Sequence, residues 1–409
     1  MYNISLVRSN HSFRIFWISE AIESVSMGLV SIALPWFILT FAGNPLQLGI
    51  AFALRSAPDI VVAPIIGGLT DRYSRIRLTA VGQIATGILI AVLPVLFLIG
   101  RLAVFHIYVV MICYSIARNL SHNASRAVLP NIVGEGNLDQ ANSLLMGVRS
   151  GGKIVFVFVG GTIIAISGPI VVLLGATVAS ILAGSLIAFL SFTISLEGFD
   201  RSSQSYVDTF LSGVKILAST PILLHLLFLG VIYNFFVVPY SSIIIPSAAQ
   251  SIFGNALSLT IMLGSWFVGD FFGNGIVGRW TINQRFKMTI GVAIVGFGTL
   301  LTGGILLMKP MITPQFWIFI ITGSGLFIAG FGQPFFNVPS SSLLQTNSPT
   351  ANRGTVVTVQ NSILQASFPL PLLLSGFLLQ LLEPDLIFIG AGIGLITLAG
   401  FMNLILIDI

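Results

Sequence analysis

The sequence predicts an all-α membrane protein with twelve transmembrane helices in two bundles of six. Three observations carry this prediction. Only 8% of the 409 residues are charged, 55% are hydrophobic and the mean hydropathy is +1.00, whereas about 25% of a soluble domain is charged. Apolar runs long enough to cross a bilayer recur along the whole chain, and one polar stretch divides them six and six.

A helix needs roughly 20 apolar residues to span the hydrocarbon core. Gly-Pro or Pro-containing turns at 43–45, 167–169 and 383–385 separate several of the runs. The predicted spans, numbered first to twelfth, are 13–41, 46–69, 77–99, 104–128, 142–166, 169–196, 222–245, 255–279, 286–308, 315–343, 355–382 and 385–407.

The distribution of Lys and Arg predicts the orientation, because these residues accumulate in cytoplasmic loops. With the N-terminus inside, the outer loops hold only Arg101 and Lys309. The inner side holds Arg8, Arg14, Arg72, Arg75, Arg77, Arg126, Arg201, Lys215, Arg279, Arg285, Lys287 and Arg353. We therefore expect a multi-pass protein of the cell inner membrane with both termini cytoplasmic. Topology accounts for the net charge of +5, and no basic arm points to a nucleic-acid partner.

The longest polar stretch runs from Glu197 to Thr220. It predicts an N-terminal six-helix bundle over 1–196, a cytoplasmic linker over 197–220 and a C-terminal six-helix bundle over 221–409. Within the linker, residues 206–218 predict an amphipathic helix on the inner membrane surface. Six plus six spans around a central linker is a layout typical of secondary transporters.

The end of the second span carries a charged motif, GGLTDRYSRIR, over 67–77. It resembles the signature that joins the second and third helices of the major facilitator superfamily, with Ser74 in place of the usual glycine. The resemblance implies the major facilitator fold and a set of charges that hold helices together at the inner gate. The matching residues are Gly68, Asp71, Arg72 and Arg75.

Other segments resemble the macrolide-efflux-type drug:proton antiporters of that superfamily. They are Arg55 with Pro58, 129–144, QPFFN at 333–337 and RGTV at 353–356. The chain departs from related antiporters at 156–157, where Phe-Val replaces Gly-Pro, and at Met27, where an acid is frequent. The resemblance implies export of small molecules against protons, in a group that also contains siderophore exporters.

Nine ionisable residues lie within predicted spans, where each costs about 2.5–3.5 kcal/mol at the helix centre unless it is paired or hydrated. The acids are candidates for proton coupling, because burial and nearby cations act in opposite directions on a carboxyl group. The acids are Glu20, Glu23, Asp59 and Asp270, and the basic residues are Arg55, Arg118, His122, Arg149 and Lys153.

Spacing predicts pairing among these charges. Arg55 and Asp59 are four residues apart, so they share a helix face and can pair. Basic stripes on the fourth and fifth spans require a facing acid or a hydrated site, and Glu20 and Glu23 are the nearest candidates. Ion-pair struts that fix the bundle are the alternative interpretation. It stays open for Arg55 and Arg118, whereas a functional role is favoured for Glu23, Asp59, Lys153 and Asp270. The stripes are Arg118, His122 and Arg126, and Arg149 with Lys153.

The C-terminal half holds only one in-span charge, Asp270, and therefore predicts a softer surface of aromatic side chains. Asn337 and Gln360 add hydrogen-bonding groups to it. Packing or lipid contact is the alternative for the aromatic residues, and we expect it for more than half of them. They are Tyr233, Phe235, Phe236, Tyr240, Trp266, Phe271, Phe335 and Phe336. Substrate binding is predicted for Arg118, Arg149, Lys153, Tyr233, Trp266, Phe336 and Asn337.

Two glycine motifs imitate nucleotide-binding sequences. Residues 147–154 resemble a P-loop but end in Ile154, where Ser or Thr would hold magnesium. Residues 273–278 match G-x-G-x-x-G inside the eighth span, where close helix packing explains the glycines. The single cysteine, Cys113, allows no internal disulfide. We expect no cofactor, no metal site and no enzymatic activity.

The sequence therefore predicts a proton-coupled exporter of amphiphilic small molecules that works by alternating access as a monomer. Two alternatives remain open. One is an exporter of an anionic metabolite or siderophore, favoured by Arg118, Arg149 and Lys153. The other is a sensor or scaffold that transports nothing, against which the in-span charges argue.

Overall fold

The computed structural model describes residues 5–58, 73–193, 206–309 and 316–405. Within these ranges the chain forms helices joined by short turns, and no strand is present. The predicted all-α class is confirmed.

Eleven helices of the described ranges are long and apolar enough to cross a membrane. The second predicted span is described as a helix over Pro45–Ser56, and its remainder, from residue 59 onward, lies outside the described ranges. The eleven are His11–Ala42, Arg75–Leu98, Val104–Val133, Leu138–Ser167, Pro169–Thr193, Pro221–Phe253, Ala256–Val277, Gln284–Leu307, Phe316–Asn347, Arg353–Leu381 and Pro384–Ile405.

The helices pack into two compact units. The first unit comprises Met1–Phe37 and Leu54–Tyr206, and the second comprises Ile38–Ala53 and Val207–Ile409. The predicted boundaries at 196 and 221 divide the chain by order along the sequence. The packing instead groups the segment Ile38–Ala53 with the helices after residue 206.

Glycine and proline end and start many of the helices, as the turn residues predict. At the fifth-to-sixth turn, Gly168 adopts a φ of 80°, which costs a glycine little because it has no Cβ. Its N–H donates to the carbonyl of Ile164 at 2.9 Å. Pro169 then starts the next helix. The first N–H groups of a helix have no acceptor within it, so the N–H that proline lacks costs no hydrogen bond there.

The seventh span is longer than the predicted 222–245. It runs as an α-helix over Pro221–Pro239, a π-helix over Tyr240–Ile244, an α-helix over Ile245–Ala248 and a second π-helix over Ala249–Phe253. The π turns surround Pro246, which has no N–H to donate to the helical ladder. A wider turn keeps the helix continuous past the proline, and sequence periodicity did not predict this continuation.

The eleventh span breaks at Ser367 and Phe368, between Arg353–Ala366 and Pro369–Leu381. Prolines at 369 and 371, which have no N–H to donate to the helical ladder, follow the break directly. The N–H of Ser367 donates to the carbonyls of Ile363 and Leu364, both at 3.2 Å, so the first half closes with a tightened turn.

The linker helix runs over Tyr206–Ser219. Its Leu217 is buried in a hydrophobic cluster with Val356 and Val359 of the eleventh span. Gly213 lies so close to the same span that an added Cβ would come within 2.7 Å of Val359 and 2.9 Å of Thr355. The apolar side of this helix is therefore covered by helices of the second unit.

Glycines let several spans approach closely. An added Cβ at Gly298 of the ninth span would collide with the backbone nitrogen of Ala329 and come within 2.6 Å of the carbonyl oxygen of Gly325. An added Cβ at Gly304, in the same helix, would meet no atom within 4 Å.

We expect Gly298→Ala to destabilise the protein by about 1–3 kcal/mol, because backbone atoms of the tenth span must move to admit the methyl group. Gly304→Ala is the matched control and should be neutral or slightly stabilising, since alanine favours helices over glycine. Thermal unfolding in detergent measures both. Equal melting temperatures for the two variants would contradict the close packing of the ninth and tenth spans.

Candidate functional site

A buried polar cluster joins the first, fourth and fifth spans. Arg149 donates from Nε at 2.9 Å and from Nη2 at 2.7 Å to Oε2 of Glu20. The other carboxylate oxygen, Oε1, accepts a hydrogen bond from the Ser125 hydroxyl at 2.7 Å. The Glu20 side chain is 6% exposed and that of Arg149 is 28% exposed. Three helices are thus tied together by one neutralised carboxylate.

Small residues bring the first and fifth spans to this distance. An added Cβ at Gly152 would collide with the hydroxyl oxygen of Ser24. An added Cβ at Gly28 would come within 2.8 Å of Cβ of Phe156 and 3.1 Å of the carbonyl oxygen of Lys153. Gly152 of the P-loop-like segment 147–154 therefore serves helix packing, as expected for a small residue between membrane helices, whereas an added Cβ at Gly151 would meet no atom within 4 Å.

Glu23 lies one turn further along the first span and is partly exposed. Its Oε2 lies 2.9 Å from the Ser180 hydroxyl, and the same hydroxyl lies 2.9 Å from the backbone carbonyl oxygen of Gln83. A serine hydroxyl has one hydrogen to donate, so Ser180 can serve only one of these two acceptors at a time. Glu20 and Arg118 act on Glu23 electrostatically.

Arg55 and Arg118 converge on Tyr114 of the fourth span. Nη1 of Arg118 donates to the Tyr114 phenol oxygen at 3.3 Å, and Cζ of Arg55 lies 5.1 Å from the centre of the Tyr114 ring. Tyr114 is 2% exposed. The predicted partner of Arg55, Asp59, lies outside the described ranges. Sequence reasoning missed Tyr114, although its position four residues before Arg118 is the spacing of a helical pair.

The fourth and fifth spans place several cations together. Arg118, Arg126 and Arg149 all act electrostatically on His122, and Lys153 lies one helical turn from Arg149 with its side chain partly buried. The predicted basic stripes are therefore one positively charged region. Glu20 neutralises Arg149 within it.

The predicted gate residues are partly described. Arg75 donates from Nη1 to the carbonyl oxygen of Ala127 in the fourth span at 3.2 Å. Gly68, Asp71 and Arg72 lie outside the described ranges. In the second unit, the buried Lys287 donates to the carbonyl oxygen of Val277 at 3.4 Å. This carbonyl ends the eighth span, where a cation is favourable, and sequence reasoning gave Lys287 no such role.

The second unit buries a group of aromatic rings. Tyr233 and Phe336 stack with ring centres 4.0 Å apart, and Tyr240 lies 5.5 Å from Trp266. Asp270 acts electrostatically on Tyr233. The phenol oxygen of Tyr233 and Oε1 of Gln360 are buried, and within the described part of the chain neither has a hydrogen-bond partner. Such orphaned polar atoms are costly, so each keeps hydrogen-bonding capacity that the described residues do not use.

Other predicted members of the soft surface lie apart from these rings. Asn337 is exposed on the tenth span. Phe271 is 53% exposed and contacts Phe272. The remaining aromatic residues pack among themselves: Phe235 against Phe236, and Phe335 against Trp280 and Phe331.

A double-mutant cycle tests the Glu20–Arg149 pair. Glu20→Ala and Arg149→Ala should each lower stability, because each leaves the other charge without its partner. The double variant should lose less than the sum of the two, with a coupling of about 1–3 kcal/mol. Unfolding in detergent supplies the four values. Additive losses would show that the pair does not hold the three spans together.

The family model described as Major Facilitator Superfamily matches residues 16–370. The multidrug efflux pump Tap of Mycolicibacterium fortuitum is 26% identical over 370 residues, covering 85% of this chain and 84% of that protein. Macrolide efflux protein A of Streptococcus pyogenes is 23% identical over 373 residues, covering 89% and 88%.

Among solved structures, the nucleoside transporter NupG superposes with a TM-score of 0.73 at 12% identity, over 97% of this chain and 100% of that one. At this identity the superposition shows the fold. The family match covers most of the chain, and the predicted resemblance to macrolide-efflux-type proteins is confirmed by the relatives. The chain belongs to the major facilitator superfamily and is a multi-pass membrane transporter of that family.

Proposed function

We propose that the protein is a proton-coupled exporter of amphiphilic small molecules. It works by alternating access as a monomer in the cell inner membrane, with both termini cytoplasmic. The observation that carries the proposal is the contact between Glu23 and Ser180 inside the first unit. The efflux functions of Tap and macrolide efflux protein A support the direction of transport.

The hydrogen bond between Ser180 and Glu23 can form whether the Glu23 carboxyl group is ionised or protonated. When Glu23 is ionised, the Ser180 hydroxyl donates to it. When Glu23 is protonated, its O–H donates to Ser180, and Ser180 turns its single hydrogen to the Gln83 carbonyl oxygen. Both states keep every polar hydrogen bonded, which matters where unpaired polar groups are expensive. Glu23 is therefore our first candidate for the proton carrier.

The other three acids have different settings. Glu20 is paired with Arg149 and accepts a hydrogen bond from Ser125, so both of its carboxylate oxygens already have partners. Asp270 acts electrostatically on Tyr233 in the second unit. It is the candidate acid on which a substrate bound in that unit would act. Asp59 stays a prediction from the sequence.

The aromatic rings of the second unit form the proposed surface for the apolar part of the substrate. Tyr233, Trp266 and Phe336 are at most 3% exposed, so a substrate would meet their flat faces only after the surrounding helices move. The Tyr233 phenol, which has no partner among the described residues, would then offer a hydrogen bond. Rings of this kind accept many shapes, because their contacts depend on area more than on direction. Asn337 is a further polar candidate on the same helix as Phe336.

An anionic substrate is the second candidate, favoured by the cations of the first unit. Arg118, Arg149 and Lys153 lie in one positively charged region whose described acids are Glu20 and Glu23. Arginine suits carboxylates and phosphates, since its planar fork donates two parallel hydrogen bonds. A panel of cationic and anionic amphiphiles separates the two candidates.

Glu23→Gln should abolish the dependence of transport on a pH gradient, because an amide cannot carry the proton. The measurement is the uptake of a lipophilic cationic dye and of an anionic amphiphile into proteoliposomes, with and without an imposed pH gradient. Ser180→Ala should weaken the dependence, since the protonated carboxyl loses its acceptor.

Asp139→Asn is the matched control, because Asp139 is an exposed acid in the first turn of the fifth span. It should transport as the unsubstituted protein does. Gradient-driven uptake that survives Glu23→Gln at full rate would remove Glu23 from the coupling mechanism.

A further inference from the structure

A small pocket of about 170 Å³ opens between the fourth and fifth spans. Its polar lining is Ser125, Arg126, Asn142 and Arg149, and Leu129 and Leu145 contribute to its apolar wall. A pocket of this size has room for several waters or a small anion. It lies where the fourth span ends and the fifth begins, on the side that the loop charges assign to the cytoplasm.

The charges that the described residues place around the pocket do not balance. Arg149 is matched by Glu20, but Arg126 makes no hydrogen bond or ion pair within the described part of the chain. Arg126 and Arg149 repel each other across the pocket, and Arg126 also acts on His122. Like charges so placed are unfavourable unless an anion lies between them. Among the described residues, the pocket therefore holds one guanidinium group more than the nearby acids neutralise.

We propose that this pocket binds a phosphate-class oxyanion, and that in the membrane its occupant is the phosphodiester headgroup of an anionic lipid. Arg126 supplies a bidentate donor fork, which matches phosphate oxygens. The Asn142 amide adds a donor at the rim, and the leucines give the glycerol region an apolar wall. Basic pockets between transmembrane helices on the cytoplasmic side are suited to lipid headgroups.

The occupant would also reach the Glu20–Arg149 pair. Arg149 lines the pocket and at the same time binds Glu20, so an anion in the pocket competes with Glu20 for the same guanidinium group. Lipid binding would then act on the helix contact between the first and fifth spans. The binding site stands whether or not the protein transports protons.

Binding is measured on the purified full-length chain in detergent by native mass spectrometry. Dioleoylphosphatidylglycerol is the anionic probe, dioleoylphosphatidylcholine the zwitterionic one, and inorganic phosphate the soluble one. We expect the phosphatidylglycerol to bind and Arg126→Gln to weaken it roughly tenfold or more, the loss that follows from removing a hydrogen-bond donor to a charged group. Arg77→Gln is the matched control, an exposed arginine on the same side outside the pocket, and should bind as the unsubstituted protein does.

Equal losses in Arg126→Gln and Arg77→Gln, or no loss in Arg126→Gln, would overturn the site. If inorganic phosphate stabilises the protein through Arg126 while phosphatidylglycerol does not bind there, the oxyanion pocket stands and the lipid assignment is wrong. If Arg126→Gln does not fold, Arg126→Lys and Asn142→Leu replace it. Both should weaken phosphatidylglycerol binding, and unchanged binding in both would overturn the proposal.

Discussion

A carboxylate and a guanidinium group meet inside the first unit, where Glu20 and Arg149 lie 2.7 Å apart. Lipid surrounds this part of the chain, so either charge alone would cost several kcal/mol. Their pairing, with the Ser125 hydroxyl on the second carboxylate oxygen, fixes how the first, fourth and fifth spans approach. The glycines at 28 and 152 make that approach possible, and Glu23 takes its position from the same stretch of the first span. The proposed proton site, the basic region and the proposed anion pocket therefore all lie on helices that this pair holds together.

The two units differ in the chemistry that they offer. The first unit holds most of the ionisable groups. The Ser180 hydroxyl lies within hydrogen-bond distance of both Glu23 and the Gln83 carbonyl oxygen, and cations lie on the fourth and fifth spans. The second collects stacked rings around Tyr233 and Tyr240, with Asp270 as the charge that acts on them. This division supports a transporter in which one unit responds to protons and the other accommodates an apolar surface of varying shape.

Much of this architecture can be predicted from the sequence, because bilayer thickness sets span length and excludes unpaired charge. The spans, the residues within them and the meeting of a first-span acid with the basic stripes follow from those two constraints. The partners that are not ionic do not follow: Ser180 for Glu23 and Tyr114 for the two arginines come from helices whose order in space the sequence leaves open. The π turns near Pro246 were also missed, since the seventh span is apolar on all its sides and a change of helical period there leaves no mark in the sequence pattern. The glycine motifs at 147–154 and 273–278 resemble nucleotide-binding sequences. Their positions within membrane-spanning helices are what exclude that interpretation.

The central claim is that a pH gradient drives export through the carboxyl groups of the first unit. The most direct measurement is substrate flux in proteoliposomes of the unsubstituted protein, with a pH gradient alone, a membrane potential alone or neither, across cationic and anionic amphiphiles. The account predicts that the pH gradient alone accelerates accumulation of at least one class of compound. Flux that is the same with and without the gradient, for every transported compound, would contradict it.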